Sequence, residues 1–335
     1  MIWANGYSAT CYMTVVDPAT WRDSERIELT GGSVKRSAAE LIEAADLSCV
    51  NYDQSKERWI RVWMDTRQQG SADHVALFTG LATSPDRDIN GGYVTNTVQC
   101  YSVLKPAQDI LLPLGWYAPA GANGASLAFS LLSAGPAPIV IEGTSPNLTE
   151  HIIAEENETN LSMARAILAA INWHIRIDGN GTIRIRPAET EQAASFDHEE
   201  NDMVETKLKV SYDWFSCPNV FRAISDDMTA VARDDDPDSR LSTVTRGREI
   251  WMQETNCKLG DNEGIAAYAG RRLEELQQAS RKISYDRRFH PAVTIGDRVR
   301  IHYPGQNISG IFEITSQTID IAKTARTSEE VKGIE

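Results

Sequence analysis

The chain has 335 residues, 41% hydrophobic and 24% charged, and its 33 basic against 47 acidic side chains leave a net charge of −14. This length allows two or three compact domains at roughly 150 residues each, and the composition excludes wholesale disorder. So acidic a body is excluded from holding nucleic acid by phosphate neutralisation, although it can lie beside nucleic acid without adhering.

At the N-terminus, MIWANGYSATCYMTVVD lacks a basic leader followed by an apolar block, so no secretory signal is expected. No apolar run approaches the roughly 20 residues of a membrane helix, and no membrane anchor is expected. Tyr7 to Val16 reads as a first strand. Trp59 to Met64 alternates, Val75 to Leu81 is a second apolar run, and Tyr93 to Leu104 a third. Between the last two, the Asn-Gly of DINGGY (88–93) fits a tight hairpin. SAAELIEAA, Ser37 to Ala45, reads as one helical insertion.

Residues 106–150 change character. LPLGWYAPAGANG is rich in Gly, Pro and Ala, SLAFSLLSAG is a short apolar helix, and PAPIVIEGTSPN is extended, so the stretch is expected to join domains. Thr159 or Asn160 then caps a helix that places Leu161, Ala164, Ile167, Leu168 and Ile171 on one face. Trp173, Ile175 and Ile177 alternate with polar residues, as do Ile183 and Ile185, so the helix feeds a hairpin turned by Asp178-Gly179-Asn180-Gly181. From about residue 207 the chain is β-rich again, through KLKVSYDWF, NVFRAIS and the strands around PAVTIGDRVRIHYPGQNISGIFEITSQTIDI. DDDPDSR (234–240) is an exposed acidic loop, and Asn262 caps a helix with Ala266, Ala269, Leu273 and Leu276 on one face. WIRVW (59–63) is echoed by RVRIH (298–302), and residues 91–105 are echoed by 309–323.

These elements predict a β-rich α+β fold. Residues 1–105 form an N-terminal β-barrel domain, 106–150 a linker with a short helix, 151–206 an αβ helix–hairpin domain, and 207–335 a C-terminal β-barrel domain with one helix.

Candidate chemistry is sparse. Asp178, Asn180, Thr182 and Glu189 occupy positions 1, 3, 5 and 12 of a calcium-loop pattern, but position 6 is Ile183 where the pattern requires Gly. Arg184 and Arg186 would also face the cation, so the segment reads as a hairpin turn. Asp234, Asp235, Asp236 and Asp238 read as a solvated charge run without a turning Gly. Cys217 and His198 would be the pair for a thiol peptidase, but Cys217 precedes Pro218 in an extended stretch and not at a helix N-terminus that would lower its pKa. His174 and His302 take polar positions in strands. There is no G-x-S-x-G, H-E-x-x-H or phosphate-binding loop. The five cysteines (Cys11, Cys49, Cys100, Cys217, Cys257) form no C-x-x-C pair and read as reduced thiols. Sequons at Asn147, Asn157, Asn160, Asn180 and Asn307 carry no weight without a secretory signal. No catalytic residue, metal site or cofactor is expected.

The run VVDPATWRD…IELTGGSVKRS, the segment LPLGWYAPAG, the helix–hairpin SMARAILAAINWHIRIDGNGTIRIRP, PNVFRAISDDMTAVARDDDPDSRLSTVTRGREIW and AGRRLEEL…VTIGDRVRIHYP, in that order, resemble the tail hub (baseplate hub or tail-tip) proteins of long-tailed phages, prophages and phage-derived injection particles. The resemblance implies two β-barrel domains that form a ring in a homotrimer, with smaller αβ domains attached. It implies a virion structural protein of the tail tip, acting in viral assembly and genome ejection. Its partners would be a tail tube or distal tail protein, a tape-measure protein, and tip spike or fibre proteins, with DNA passing through the channel without specific binding. It would be made in the bacterial host cytoplasm. Many such chains carry a C-terminal fibre or cell-wall-degrading extension; this sequence stops at Glu335. Two other readings are a tail-associated peptidoglycan hydrolase and a carbohydrate-binding adhesin using several of the eight Trp. Of these, Trp59, Trp63 and Trp173 fall in strands where burial accounts for them.

Overall fold

In the computed structural model, the alternation of the first hundred residues becomes six long strands: β1 (Ser8–Val16), β2 (Asp23–Ser37), β3 (Glu43–Cys49), β4 (Arg58–Gln68), β5 (Ser71–Asn90) and β6 (Tyr93–Ser102). The structure describes residues 2–334 except positions 4, 38–40, 51, 54, 92, 189–195, 200–206, 226–227, 256, 258–263, 279–280, 307 and 323–324. The chain divides into two units. The first comprises Met1–Gln192, Arg288–Ile295 and Ser316–Thr327, the second Ala193–Arg287, Gly296–Thr315 and Ser328–Glu335.

In the first unit the strands pair antiparallel in the order β1-β4-β5-β6-β3-β2, and β2 pairs back onto β1. The hydrogen-bonded circuit is closed, which removes the exposed edges that invite aggregation. Met13, Leu47, Ile60, Val62, Met64 and Phe78 are fully buried among these strands. Each such side chain stabilises the fold by about 1.5–3 kcal/mol relative to exposure, so this packing outweighs any single surface ion pair.

The next elements are α1 (Lys105–Asp109), β7 (Tyr117–Ala118), α2 (Gly124–Leu132), β8 (Ile139–Ile141), β9 (Ile152–Ile153), α3 (Asn160–Ala170), β10 (Trp173–Ile177) and β11 (Ile183–Pro187). Asn123 caps α2 by accepting from Ser126 N. Thr159 caps α3 in a reciprocal capping box with Ser162. On α3 the predicted face is buried, and so is Met163, because α2 and the hairpin cover it from two sides. β10 pairs antiparallel with β11, and β8 joins β11 in parallel. Residues 106–150 thus supply α2 and β8 to the same hydrophobic cluster as the helix–hairpin.

The second unit contains β12 (Phe196–Glu199), β13 (Lys209–Tyr212), β14 (Val220–Ser225), β15 (Met228–Arg233), α4 (Thr243–Arg246), β16 (Trp251–Thr255), α5 (Ile265–Gln278), β17 (Arg281–Arg288), β18 (Arg298–Tyr303), β19 (Ile308–Asp320) and β20 (Arg326–Gly333). The last five residues of β19 and the first two of β20 belong to the first unit, where Ser316–Asp320 pairs with Ser33–Ser37 of β2. In the second unit the strand order is β12-β18-β19-β20-β17-β13, an open path among the described strands. A separate sheet, β15-β14-β16, carries α5 through Phe221, Ala223, Tyr268, Ala269 and Leu273.

The fold class is β-rich α+β, as the sequence indicates. Three local details differ. The helix expected over Ser37 to Ala45 does not form across Glu43–Ala45, where β3 is held by β2 and β6; residues 38–40 lie outside the described residues. Propensity yields there to sheet pairing. Gly91, with φ +60°, opens the loop after β5, and Asn90 is still paired with Tyr93. On α5, Ala266 is exposed and Tyr268 takes the buried place, while Asn262 lies outside the described residues. Among the described residues no helix is long and apolar enough to cross a membrane.

Among the described residues each unit buries an arginine–glutamate pair. In the second, Arg287 grips Glu329 through two bonds of 2.7 and 2.5 Å. In the first, Arg36 Nε donates to Glu43 Oε1 (3.0 Å), and its other nitrogens donate to Gln317 Oε1 (2.9 Å) and Leu77 O (2.6 Å). Glu43 Oε2 has no hydrogen-bond partner. Burial pushes the Glu43 carboxyl up to about 7, and the Arg36 guanidinium opposes without cancelling it. A carboxyl raised on folding stabilises fully below its ordinary value of 4.5 and loses that contribution as pH rises towards 7. We therefore predict that the unfolding free energy of the native protein from urea titration, relative to Glu43→Gln, falls between pH 4.5 and 7, by at most about 1.4 kcal/mol per pH unit. A difference that grows with pH would show that Arg36 keeps the carboxylate ionised.

Candidate functional site

The turn Asp178-Gly179-Asn180-Gly181 is held by hydrogen bonds from both its own hairpin and the strands of the first unit. Asp178 Oδ1 accepts from Asn180 N (3.1 Å) and Thr182 N (3.0 Å), and Oδ2 accepts from Arg184 at 3.0 Å. These bonds shape an Asx-type turn of the kind short acidic side chains favour. The turn's own carbonyls face the strands. Thr79 Oγ1 donates to Gly179 O (2.8 Å), while Trp21 Nε1 (3.0 Å) and Arg61 Nη2 (3.1 Å) donate to Asn180 O. Arg61 also binds Thr79 Oγ1 (3.0 Å) and Asp23 (2.5 Å).

This docking dictates the glycines. A Cβ on Gly179 would lie 1.9 Å from Ala76 O, and one on Gly181 2.8 Å from Thr79 Cβ. Gly181 also holds φ +79°, which side chains rarely adopt. The backbone of the turn therefore lies directly against β5. Of the four residues with calcium-loop spacing, Asp178, Asn180 and Thr182 come together here, with Asp178 engaged by backbone N–H groups and Arg184; Glu189 lies outside the described residues.

Beside the turn, a cleft of about 350 Å³ is lined by Arg36, Arg176, Arg184 and Arg186 with Glu142 and Asp178. Glu142 takes Arg184 at 2.7 Å and Arg186 at 3.9 Å, so opposite charges face each other across it.

The remaining candidates are dispersed. The loop Asp234–Asp238 folds on itself: Asp234 accepts from Ser239 Oγ (2.7 Å) and Gln277 Nε2 (3.0 Å), and Asp235 binds Arg233 (2.9 Å). Among the described residues no group of three His, Cys, Asp or Glu could hold a metal ion. Cys217 is buried, its thiol directed at the carbonyls of Pro218 and Leu276. His198 is on β12, its side chain outside the described residues. His174 is half-buried and His302 exposed, both on strands. All five cysteines are free thiols, and burial raises Cys11 to about 12 and Cys49 to about 11.

Sequence reasoning missed a second surface. In the second unit, Tyr212, Trp214 and Phe312 wall a cavity of about 510 Å³ that also presents Asp238, Arg240, Glu274 and Arg281. Trp214 is 50% exposed, and Phe215, next to it in sequence, is 83% exposed. Among the tryptophans expected in strands, Trp173 is buried and Trp59 and Trp63 are half-buried, so the open aromatics lie elsewhere. Composition offered one hint only: Trp214 and Phe215 follow the end of a strand instead of alternating within one.

Two substitutions test the docked turn. Gly179→Ala should cost about 3 kcal/mol or more by denaturant unfolding, at the upper end for single changes. Gly31→Ala, where nothing lies within 4 Å, should cost under about 1 kcal/mol. Equal costs would contradict backbone contact at residue 179.

No family model and no curated protein matches the sequence. Solved structures match the fold over nearly the whole chain. The tail protein from Neisseria meningitidis MC58 superposes with a TM-score of 0.71 at 12% identity, covering 98% of this chain and 97% of that one. The 43 kDa tail protein of prophage MuSo2 from Shewanella oneidensis gives 0.67 at 13% identity, covering 97% and 98%. The prophage tail protein gp18 from Listeria monocytogenes EGD-e gives 0.53 at 10%, covering 98% and 94%. The chain has the fold of phage and prophage tail proteins.

Proposed function

We propose that this chain is a structural hub protein of a phage, or phage-like particle, tail tip or baseplate. The observation that carries the reading is the match with tail proteins over 97–98% of this chain, and so over both units, and over 97–98% of those chains. The geometry agrees with a framework role: Asp178, Arg61 and Arg36 are engaged in holding strands and turn together. In this reading residues 1–105 and 207–335 are two barrel domains, with 106–150 and 151–206 between them. Three copies form a ring that joins the tail tube or distal tail protein to the spike or fibre proteins below, next to the tape-measure protein. Closed cyclic symmetry is the usual solution for identical subunits. The chain has no catalytic role, metal or cofactor in this reading.

The ring must let DNA through, and a basic lumen would trap it by counterion release. The net charge of −14 supports an acidic inner wall. A second reading, a carbohydrate-binding adhesin, is favoured by the half-exposed Trp214 that lines the second-unit cavity and by the exposed Phe215 that follows it. A glycan array distinguishes it.

Averaged images of assembled tails should show three copies of this chain around the axis, with Asp and Glu outnumbering Lys and Arg on the lumen. Six copies, or a lumen ringed by Lys and Arg, would end the hub reading. Chelation by EDTA should leave the melting temperature unchanged; a drop of several degrees would reveal a bound ion that stabilises by mass action.

A further inference from the structure

The second-unit cavity is assembled from separated parts of that unit. β13 ends at Tyr212, with Trp214 two residues on, and the loop ahead of α4 supplies Asp238 and Arg240. α5 supplies Glu274, while β17 and β19 supply Arg281 and Phe312. Strand register holds two of these walls together, since Tyr212 pairs directly with Arg281. At about 510 Å³ the cavity falls within the roughly 300–1,000 Å³ of ordinary small-molecule sites.

Its aromatic wall is open to solvent. Tyr212 and Trp214 are both exposed, and their rings stand 5.8 Å apart at 43°. Each guanidinium of the cavity is laid on a ring, Arg240 over Tyr212 at 5.8 Å and Arg281 over Phe312 at 5.4 Å. Such stacking steadies a guanidinium while leaving its N–H fork available. Elsewhere in the same unit Arg233, Arg271 and Arg272 are paired with carboxylates. Among the described residues neither Arg240 nor Arg281 joins an ion pair, and neither Asp238 nor Glu274 does. Arg281 Nε is enclosed with no hydrogen-bond partner. Buried donors are ordinarily satisfied, and an unpartnered one beside a cavity suits an incoming acceptor.

We propose that this cavity binds an acidic sugar, a pyranose carrying a carboxylate, as one residue of an oligosaccharide. The C–H face of the sugar packs on Trp214 and Tyr212, whose rings supply large, rigid contact area. Its carboxylate is recognised by the guanidiniums of Arg240 and Arg281 in charge-assisted bonds, and its hydroxyls donate to Asp238 and Glu274. The two cations and two anions balance, so recognition is by placement and not by bulk charge. A neutral sugar would use the rings and the carboxylates but leave both cations without a partner. The proposal rests on the sugar-binding reading and is independent of the hub reading.

The test is a panel of uronic-acid and sialic-acid oligosaccharides, each beside its carboxyl-reduced form, titrated calorimetrically into the full chain. At least one acidic form should bind about tenfold or more tightly than its reduced form, as charge-assisted bonds require. Arg240→Gln with Arg281→Gln should bring that pair to equal affinity, while Trp214→Ala should weaken both members. The arginine variant keeps the proposal testable if Trp214→Ala fails to fold. Equal binding of acidic and reduced forms by the native chain would overturn the acidic class and leave the sugar-binding reading standing. An acidic preference that survives the double arginine change would place the site elsewhere and overturn the assignment of this cavity. Binding of no member of the panel, acidic or reduced, would overturn both this site and the sugar-binding reading, leaving the exposed aromatics to a protein contact.

Discussion

The first unit depends on one steric constraint: the backbone of a four-residue turn must touch the backbone of a strand. Gly179 lies so close to Ala76 that no side chain fits, and Gly181 adopts a left-handed conformation beside Thr79. Only with that approach can Thr79, Trp21 and Arg61 reach the turn's carbonyls. The hairpin β10–β11 is thereby fixed to the closed strand circuit at its tip, while α2 and α3 pack on its apolar side. Losing the approach would remove three hydrogen bonds from the partly buried and exposed carbonyls of Gly179 and Asn180, each worth about 0.5–1.5 kcal/mol net.

Polar groups in the interior follow the same logic. Arg36 lies on β2 directly opposite Glu43 on β3 and reaches Gln317 on β19, so one guanidinium spans three strands. Gln317 passes its own Nε2–H to Val293 O. Buried pairs of this kind add little net stability over an apolar replacement, but breaking one leaves an uncompensated charge. Their effect is to fix register: a one-residue slip of β2 against β3 would turn Arg36 outward and leave Glu43 alone.

Much of this was legible in the chain. Strict alternation in Trp173–Ile177 and Ile183–Arg186, with two glycines between, announced the hairpin and argued against a cation loop. Thr159, one of the two cap candidates, announced the start of α3. What stayed hidden was of two kinds. Ala and Glu in Ser37 to Ala45 favour a helix locally, but two flanking strands overrule them. The partners of the turn are separated from it by 100 residues and more in sequence, and no local pattern links Gly179 to Thr79 or Asn180 to Trp21. The arginine-lined cleft was hidden for the same reason, because its side chains come from strands far apart in the sequence.

Native-state hydrogen exchange, followed as denaturant is raised, tests whether the docked turn makes the hairpin and the strand circuit one cooperative body. The account predicts that amides of β10–β11 and of β4–β5 converge on a single opening free energy, as members of one cooperative unit do. A hairpin that opens several kcal/mol below the circuit would contradict it.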